Sequence, residues 1–228
     1  MNKPIGNSRQ VGKAVVLLSG GLDSATTLYY AQGQGYQCHC LIFDYHQRHR
    51  REIKSAFALA RRANCSYSLV QINLPWKGSA LLDKNIFLPE NKSLTRKGVP
   101  VTYVPARNII FLSLAASCAE TIGAKDIFIG ANAIDYSGYP DCRPEFIRSF
   151  QSMLALGLKT GIEKKALRLQ TPLIQKTKAQ IIRLALKLKV PLELTWSCYK
   201  GGLKPCGVCD SCRFRAKGFA EAKAIDPA

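Results

Sequence analysis

Between residues 14 and 30 the chain reads as a buried strand, a sharp turn and a helix start. Val15, Val16, Leu17 and Leu18 form an apolar run, Ser19-Gly20-Gly21 interrupts it, and Leu22-Asp23-Ser24 leads into Ala25-Thr26-Thr27-Leu28-Tyr29-Tyr30. A strand that is apolar without alternation suits a position buried on both faces, as in a parallel sheet. Paired glycines let the backbone approach a ligand closely, and the unbonded amides and positive dipole of the following helix attract an anion. Phosphate is the expected guest. The loop is not a Walker A motif, because no Lys stands where that motif needs one after its second glycine.

Strand and helix signals alternate beyond this point. A helix to about Gln34 is followed by a strand over Tyr36–Tyr45. Residues Arg50–Ala63 then carry an apolar stripe at Ile53, Ala56, Phe57 and Ala60. Another strand is expected over Tyr67–Leu74. The Pro-, Gly- and Lys-rich stretch from Pro75 to Val104 is too long for a simple turn and reads as a functional loop or lid. Pro105 opens an apolar helix through Ala119, Ile127–Gly130 is a short strand, and Phe146–Leu158 is amphipathic. A strand near Leu169 and a helix over Lys178–Leu188 complete the pattern. This alternation predicts an α/β fold, an open and mostly parallel Rossmann-like sheet with helices on both faces and ligands at the carboxyl ends of its strands. Three parts are expected: a disordered, polar segment over 1–13, an α/β domain over 14–190, and a cysteine-bearing segment over 191–228 packed on it.

No apolar run approaches the ~20 residues of a membrane span, and residues 1–13 lack the apolar core of an export signal, so a cytoplasmic protein is expected. Nine cysteines in that compartment argue for metal or redox chemistry over a disulfide framework. Four of them, Cys198, Cys206, Cys209 and Cys212, cluster around a Gly-rich turn. Four thiolates fill a tetrahedral zinc shell and leave no position for water or substrate, so one structural Zn2+ is expected; an iron–sulfur cluster would use the same ligands. The net charge of +18 fits nucleic acid as well as small anions. No recognised RNA-binding fingerprint accompanies it, and direct RNA binding is not expected.

A third signal follows Gly130: Asp135-Tyr136-Ser137-Gly138-Tyr139-Pro140-Asp141-Cys142-Arg143-Pro144-Glu145-Phe146, rich in hydrogen-bonding groups, aromatics and turn formers, as a binding loop for a flat polar ligand would be. SGGLDS at 19–24, Pro105-Ala-Arg107-Asn108, DYSGYPDCRPEF at 135–146, Leu194-Thr-Trp196-Ser-Cys198-Tyr199 and the CGVCDSC turn together resemble the QueC family of queuosine biosynthesis. That family lies within the N-type ATP pyrophosphatases, of the adenine nucleotide alpha hydrolase type. The resemblance runs from about residue 14 onward.

It implies an ATP-dependent carbon–nitrogen ligase that turns 7-carboxy-7-deazaguanine and ammonia into 7-cyano-7-deazaguanine, with Mg2+ as helper and a homodimer as the assembly. Asp23, Ser24 and Arg107 would carry the chemistry. Leu18, Ser19, Gly20, Gly21, Leu22, Asp23, Ser24, Ala25, Thr26, Thr27 and Leu28 would form the nucleotide-binding stretch, with Asp44 facing the nucleoside. Asp135, Tyr136, Ser137, Asp141 and Arg143 would read the deazaguanine. Plainer roles are open to several of these: Asp23 and Ser24 as helix caps, Arg107-Asn108 as an ordinary helix start, the Tyr136–Arg143 loop as a self-satisfied turn. The family pattern has Gly where this chain has His46. A tRNA thiolase would share the pyrophosphatase loop, but it needs reactive cysteines near ATP.

Overall fold

The computed structural model describes residues 12–91, 98–134 and 138–228. Five strands, β1 (Lys13–Leu17), β2 (Gln37–Asp44), β3 (Ser66–Gln71), β4 (Asp126–Phe128) and β5 (Arg168–Gln170), form one sheet in the order β3-β2-β1-β4-β5. Every pairing is parallel. The helices are α1 (Leu22–Gly33), α2 (Arg51–Arg62), α3 (Arg107–Ile122), α4 (Pro144–Gly157), the single turn α5 (Lys159–Ile162), α6 (Lys178–Lys187) and α7 (Asp210–Ala222). The expected parallel α/β sheet is therefore present. β1 begins at Lys13, one residue before the boundary read from the sequence, and residues 1–11 lie outside the described residues.

The apolar run of β1 is explained by its central place. Ala14 and Val16 pack with α1, α2 and α6 through residues such as Leu28, Leu59 and Ile182. Val15 and Leu17 face the other way, onto Leu112 and Ala115 of α3 and Leu154 of α4. Each successive side chain enters a different core, so neither face tolerates a polar residue. β3, by contrast, is an edge strand and largely exposed.

Local signals fix the helix ends. Thr177 and Gln180 form a reciprocal capping box at the start of α6, with Thr177 N donating to Gln180 Oε1 at 2.9 Å. α3 ends at Gly123, whose φ of 68° is the left-handed conformation that glycine adopts without steric cost. α5 and α7 were not foreseen from the sequence; α7 lies in the stretch read only as a cysteine turn. The connection between β3 and α3 holds no helix or strand among its described residues, only an isolated antiparallel bridge from Glu90 to Cys209. Among the described residues no helix is long and apolar enough to cross a membrane.

From β1 the chain winds outward to β2 and β3 on one side and to β4 and β5 on the other. Between β1 and β4 the direction of winding reverses, which opens a crevice at the carboxyl ends of those strands. The glycine loop leaves β1 at that point.

Candidate active site and metal cluster

Beyond β1, Leu18 N still bonds to Leu41 O at 2.9 Å, and the chain then turns. Ser24 Oγ holds the turn together: it accepts from Ser19 N at 3.2 Å and from Ser19 Oγ at 3.0 Å, and donates to Gly21 O at 3.0 Å. Gly20 has φ of 87°, and a Cβ there would collide with the backbone carbonyl of Glu52. Only glycine fits. The first helical bond of α1 is Ala25 N to Gly21 O, so the amides of Leu22, Asp23 and Ser24 lie ahead of the helical ladder. Gly21 occupies the cap position, without a side-chain bond. Asp23 instead accepts from Lys178 Nζ with both carboxylate oxygens, each at 2.8 Å, so neither Asp23 nor Ser24 is the helix cap.

Leu18, Ser19, Gly21, Leu22, Asp23 and Ser24 line a cavity of about 260 Å³. The rest of the expected nucleotide stretch does not. Gly20 lies behind the loop against α2, Ala25 and Leu28 are core residues, and the hydroxyls of Thr26 and Thr27 donate back along the helix to Leu22 O and Asp23 O. Asp44, at the end of β2, is turned into an ion pair with Arg50 and accepts from His46 N at 3.3 Å, outside the cavity lining. His46 itself has φ of 58°. A left-handed backbone is where glycine is easiest to place, which accounts physically for the Gly in the family pattern.

Tyr45, Glu52, Arg107, Asn108, Phe111 and Tyr139 line the same cavity. Arg107 opens α3 and donates from Nη1 to Tyr45 Oη at 3.4 Å. Its predecessor Ala106 has φ of 56°, a left-handed conformation uncommon for a residue with a Cβ and a source of local strain beside the site. Burial opposes the charge of Arg107, but Tyr45, Tyr139 and Asp141 hold it firmly protonated. Burial also pushes the Tyr45 phenol up to about 12. Glu52 is pushed up to about 7, again by burial, with partial relief from the Gln47 amide, which donates to Oε1 at 2.9 Å, and from Arg107. Cys142 lines the cavity with its thiol raised to about 11 by burial, so it packs and does not react.

The proposed deazaguanine loop is only partly seen. Asp135, Tyr136 and Ser137 lie outside the described residues. Asp141 is buried and accepts from Asn108 N at 3.1 Å with Oδ2, placing a carboxylate at the positive end of α3; among the described residues Oδ1 has no partner. Arg143 is exposed at the start of α4 and does not line the cavity.

Sequence reasoning missed Lys178 and Glu52, both in the lining. A signal for Lys178 existed: positions 178, 181, 182 and 185 make one face of α6, and the other three are Ile181, Ile182 and Ala185, all buried. Lys at a core-facing position of such a stripe calls for a partner or a task.

The four cysteines come together as expected. Sγ of Cys198, Cys206, Cys209 and Cys212 lie within 4.8 Å of one another; a tetrahedron of Zn–S bonds near 2.3 Å has sulfur edges of about 3.8 Å. Lys200 N and Cys206 N both donate to Cys198 Sγ at 3.4 Å, and Cys209 N to Cys206 Sγ at 3.4 Å, as amides do around sulfur carrying negative charge. This donor set could hold a metal ion and leaves no open ligand position.

From the cluster, contacts run directly to the loop. Trp196 donates from Nε1 to Cys198 O and from its backbone N to Gly20 O, both at 2.9 Å, while the Arg51 guanidinium lies 4.3 Å above its ring. Trp196, Ser197, Tyr199, Ser211 and Arg215 supply one side of the cavity. Arg215 is buried, held by Asp226 at 2.7 Å and by Thr195 Oγ1 at 2.7 Å. The long β3–α3 connection packs on the same turn through Asn91 N to Val208 O and an ion pair of Glu90 with Lys200.

A family model described as the queuosine biosynthesis protein QueC matches residues 13–223. The 7-cyano-7-deazaguanine synthase of Nostoc punctiforme is 52% identical over 219 residues, spanning 94% of this chain and 98% of that protein. Its counterpart of the same name from Thermoplasma acidophilum is 54% identical over 217 residues, spanning 94% and 90% respectively. Among solved structures, the NMN synthetase from Francisella tularensis superposes with a TM-score of 0.49 at 17% identity, covering 96% of this chain and 90% of that one.

Proposed function

The chain belongs to the QueC family of queuosine biosynthesis proteins, and from that premise we propose that it uses ATP to convert 7-carboxy-7-deazaguanine and ammonia into 7-cyano-7-deazaguanine. One observation carries the reading into this molecule: the glycine loop, Arg107 and the segment anchored by the cysteines surround a single cavity at the reversal point of the sheet.

A carboxylate is a poor electrophile. Attack of its oxygen on the α-phosphate, with pyrophosphate leaving, gives an adenylate that ammonia converts to the amide with loss of AMP. A second activation of the amide oxygen then permits elimination to the nitrile. Such chemistry calls mainly for alignment and for neutralising phosphate charge, and no enzyme nucleophile is required. Ser19, Gly21 and the amides of Leu22, Asp23 and Ser24 would cradle phosphate. Lys178 would add positive charge, held in place by Asp23, and Arg107 offers a planar fork to carboxylate or phosphate. Asp141, whose buried Oδ1 has no partner among the described residues, together with Arg143, Asp135, Tyr136 and Ser137 would read the deazaguanine.

Zn2+ on Cys198, Cys206, Cys209 and Cys212 would act structurally. Mg2+ fits as an ion arriving with the nucleotide, because it binds mainly through substrate phosphates and retained waters, and Asp23, on the phosphate loop in the lining, would hold those waters. When bound it would supply charge neutralisation on the phosphates. A cytoplasmic homodimer completes the proposal, in which the basic surface gathers anionic small molecules and direct RNA binding has no part. One incubation tests the reaction: protein, Mg-ATP, ammonium and the 7-carboxylate, read by mass spectrometry for nitrile and for AMP over ADP. Absence of nitrile would refute it.

A further inference from the structure

Making a nitrile from ammonia removes every proton from the nitrogen, and the proposed chemistry leaves the first acceptor unassigned. Resting on that reading, we propose that Glu52 is the catalytic base that takes the nitrogen-bound proton in both halves of the reaction. Two carboxylates line the cavity. Asp23 has both oxygens committed to the Lys178 ammonium. Glu52 lines the cavity and is held by the neutral amide of Gln47.

Its location suits the task. Glu52 stands in the first turn of α2, whose backbone packs against Gly20 of the phosphate loop. The groups around it are Gln47 and Tyr45, just beyond β2, and Arg107 from α3; Arg48, His49, Asp23 and Lys178 also line the cavity. Arg107 can therefore hold the acyl oxygen or phosphate while Glu52 meets the incoming nitrogen. A base that works near neutrality should have a proton affinity near that of its medium, and burial raises Glu52 to about 7.

In the first half, the nitrogen lone pair of ammonia attacks the acyl carbon of the adenylate. Glu52 accepts one N–H proton, and the carbon–oxygen bond to phosphate breaks with AMP taking the pair. In the second half, the amide oxygen attacks the α-phosphate of a second ATP and pyrophosphate leaves. Glu52, returned to its carboxylate by proton loss through the cavity mouth, then accepts a proton from the O-adenylyl imidate nitrogen. Departure of AMP with the carbon–oxygen pair completes the C≡N bond, and its phosphate takes the last N–H proton. No oxidant or reductant is needed.

Glu52→Gln tests this, because it removes the basic group while keeping size and hydrogen bonding. Adenylate formation needs no base, so single-turnover pyrophosphate release and ATP affinity should stay within about twofold of wild type. Amide and nitrile formation should fall by a hundredfold or more, the usual range for a lost general base being about 10²–10⁴. Hydroxylamine, largely unprotonated at neutral pH, should trap the adenylate in the variant at close to the wild-type rate. With the 7-amide as substrate no ammonia titrates, and the wild-type kcat should rise with pH through a limb near 7 that the variant lacks. Wild-type nitrile yield with unchanged pH dependence, or an equal loss of pyrophosphate release, would overturn the assignment. Failure of the wild type to make nitrile would remove the functional reading itself, a separate outcome of the same assay.

Discussion

Asp23→Ala should lower stability as well as turnover, because Asp23 does more than face a ligand. Its carboxylate receives Lys178 Nζ on both oxygens at 2.8 Å, and the two side chains are only 18% and 8% exposed. Removing one member of a buried pair costs about 3–5 kcal/mol. Lys178 keeps further contacts in the variant, so the low end, about 3 kcal/mol, applies. For a domain of this size that lowers Tm by about 6–12 °C. Asp23→Asn, which keeps an acceptor oxygen, should lose less. In a thermal-shift assay a non-hydrolysable ATP analogue should recover part of the Asp23→Ala deficit, since a phosphate then neutralises Lys178 in place of the carboxylate. Adding Lys178→Met should give a coupling of about 1–3 kcal/mol in a double-mutant cycle. A Tm within about 2 °C of wild type, equivalent to no more than roughly 1 kcal/mol, would refute the pairing argument. Equal stabilisation of both proteins by the analogue would refute the contact between Lys178 and phosphate.

Ser24→Ala removes the hydroxyl that joins Ser19 to Gly21, and steady-state assay should show turnover reduced about a hundredfold, the usual cost of one preorganised charge-stabilising contact, with a Tm change of a few degrees. Cys206→Ser should lower bound zinc, measured by elemental analysis, together with soluble yield; iron and sulfide in place of zinc would contradict the structural-zinc proposal. The 7-amide supplied with Mg-ATP and no ammonia should yield the nitrile by mass spectrometry, whereas unsubstituted 7-deazaguanine should bind poorly in calorimetry because it leaves buried polar groups unmatched.

The parts of this molecule legible in the sequence are those whose signal is local. The run Val15–Leu18 followed by Gly20 and Gly21 has one good physical solution, and the four cysteines within fifteen residues carry their geometry in their spacing. Lys178 and Glu52 carry no such mark. They reach the cavity only once α6 and α2 are packed against the first sheet face, and Lys178 is one of 33 basic residues in the chain. Asp44 misled for a related reason: a carboxylate at the carboxyl end of a strand is well placed for a ligand, but Arg50, six residues on, reaches it first. The resemblance extends the nucleotide-binding stretch through Ala25–Leu28, yet the turn of the helix carries those side chains into the core and back onto its own carbonyls.

The cysteine segment is tied to the phosphate loop more closely than a remote staple would be. Trp196 N bonds to Gly20 O, and Gly20 lies so close to the Glu52 backbone that a Cβ there would collide with it. Trp196 is fixed in turn by its indole bond to Cys198 O and by Arg51 over its ring. A chain released at Cys198 therefore frees Trp196, and through it the Gly20 carbonyl of the phosphate loop. Since reacting groups misplaced by about 1 Å can cost a hundredfold in rate, partial metal loss should reduce turnover in molecules whose helices remain folded. Far-ultraviolet circular dichroism followed alongside activity during chelation should accordingly show the rate falling first, and simultaneous loss of both would place the metal's effect in global stability alone.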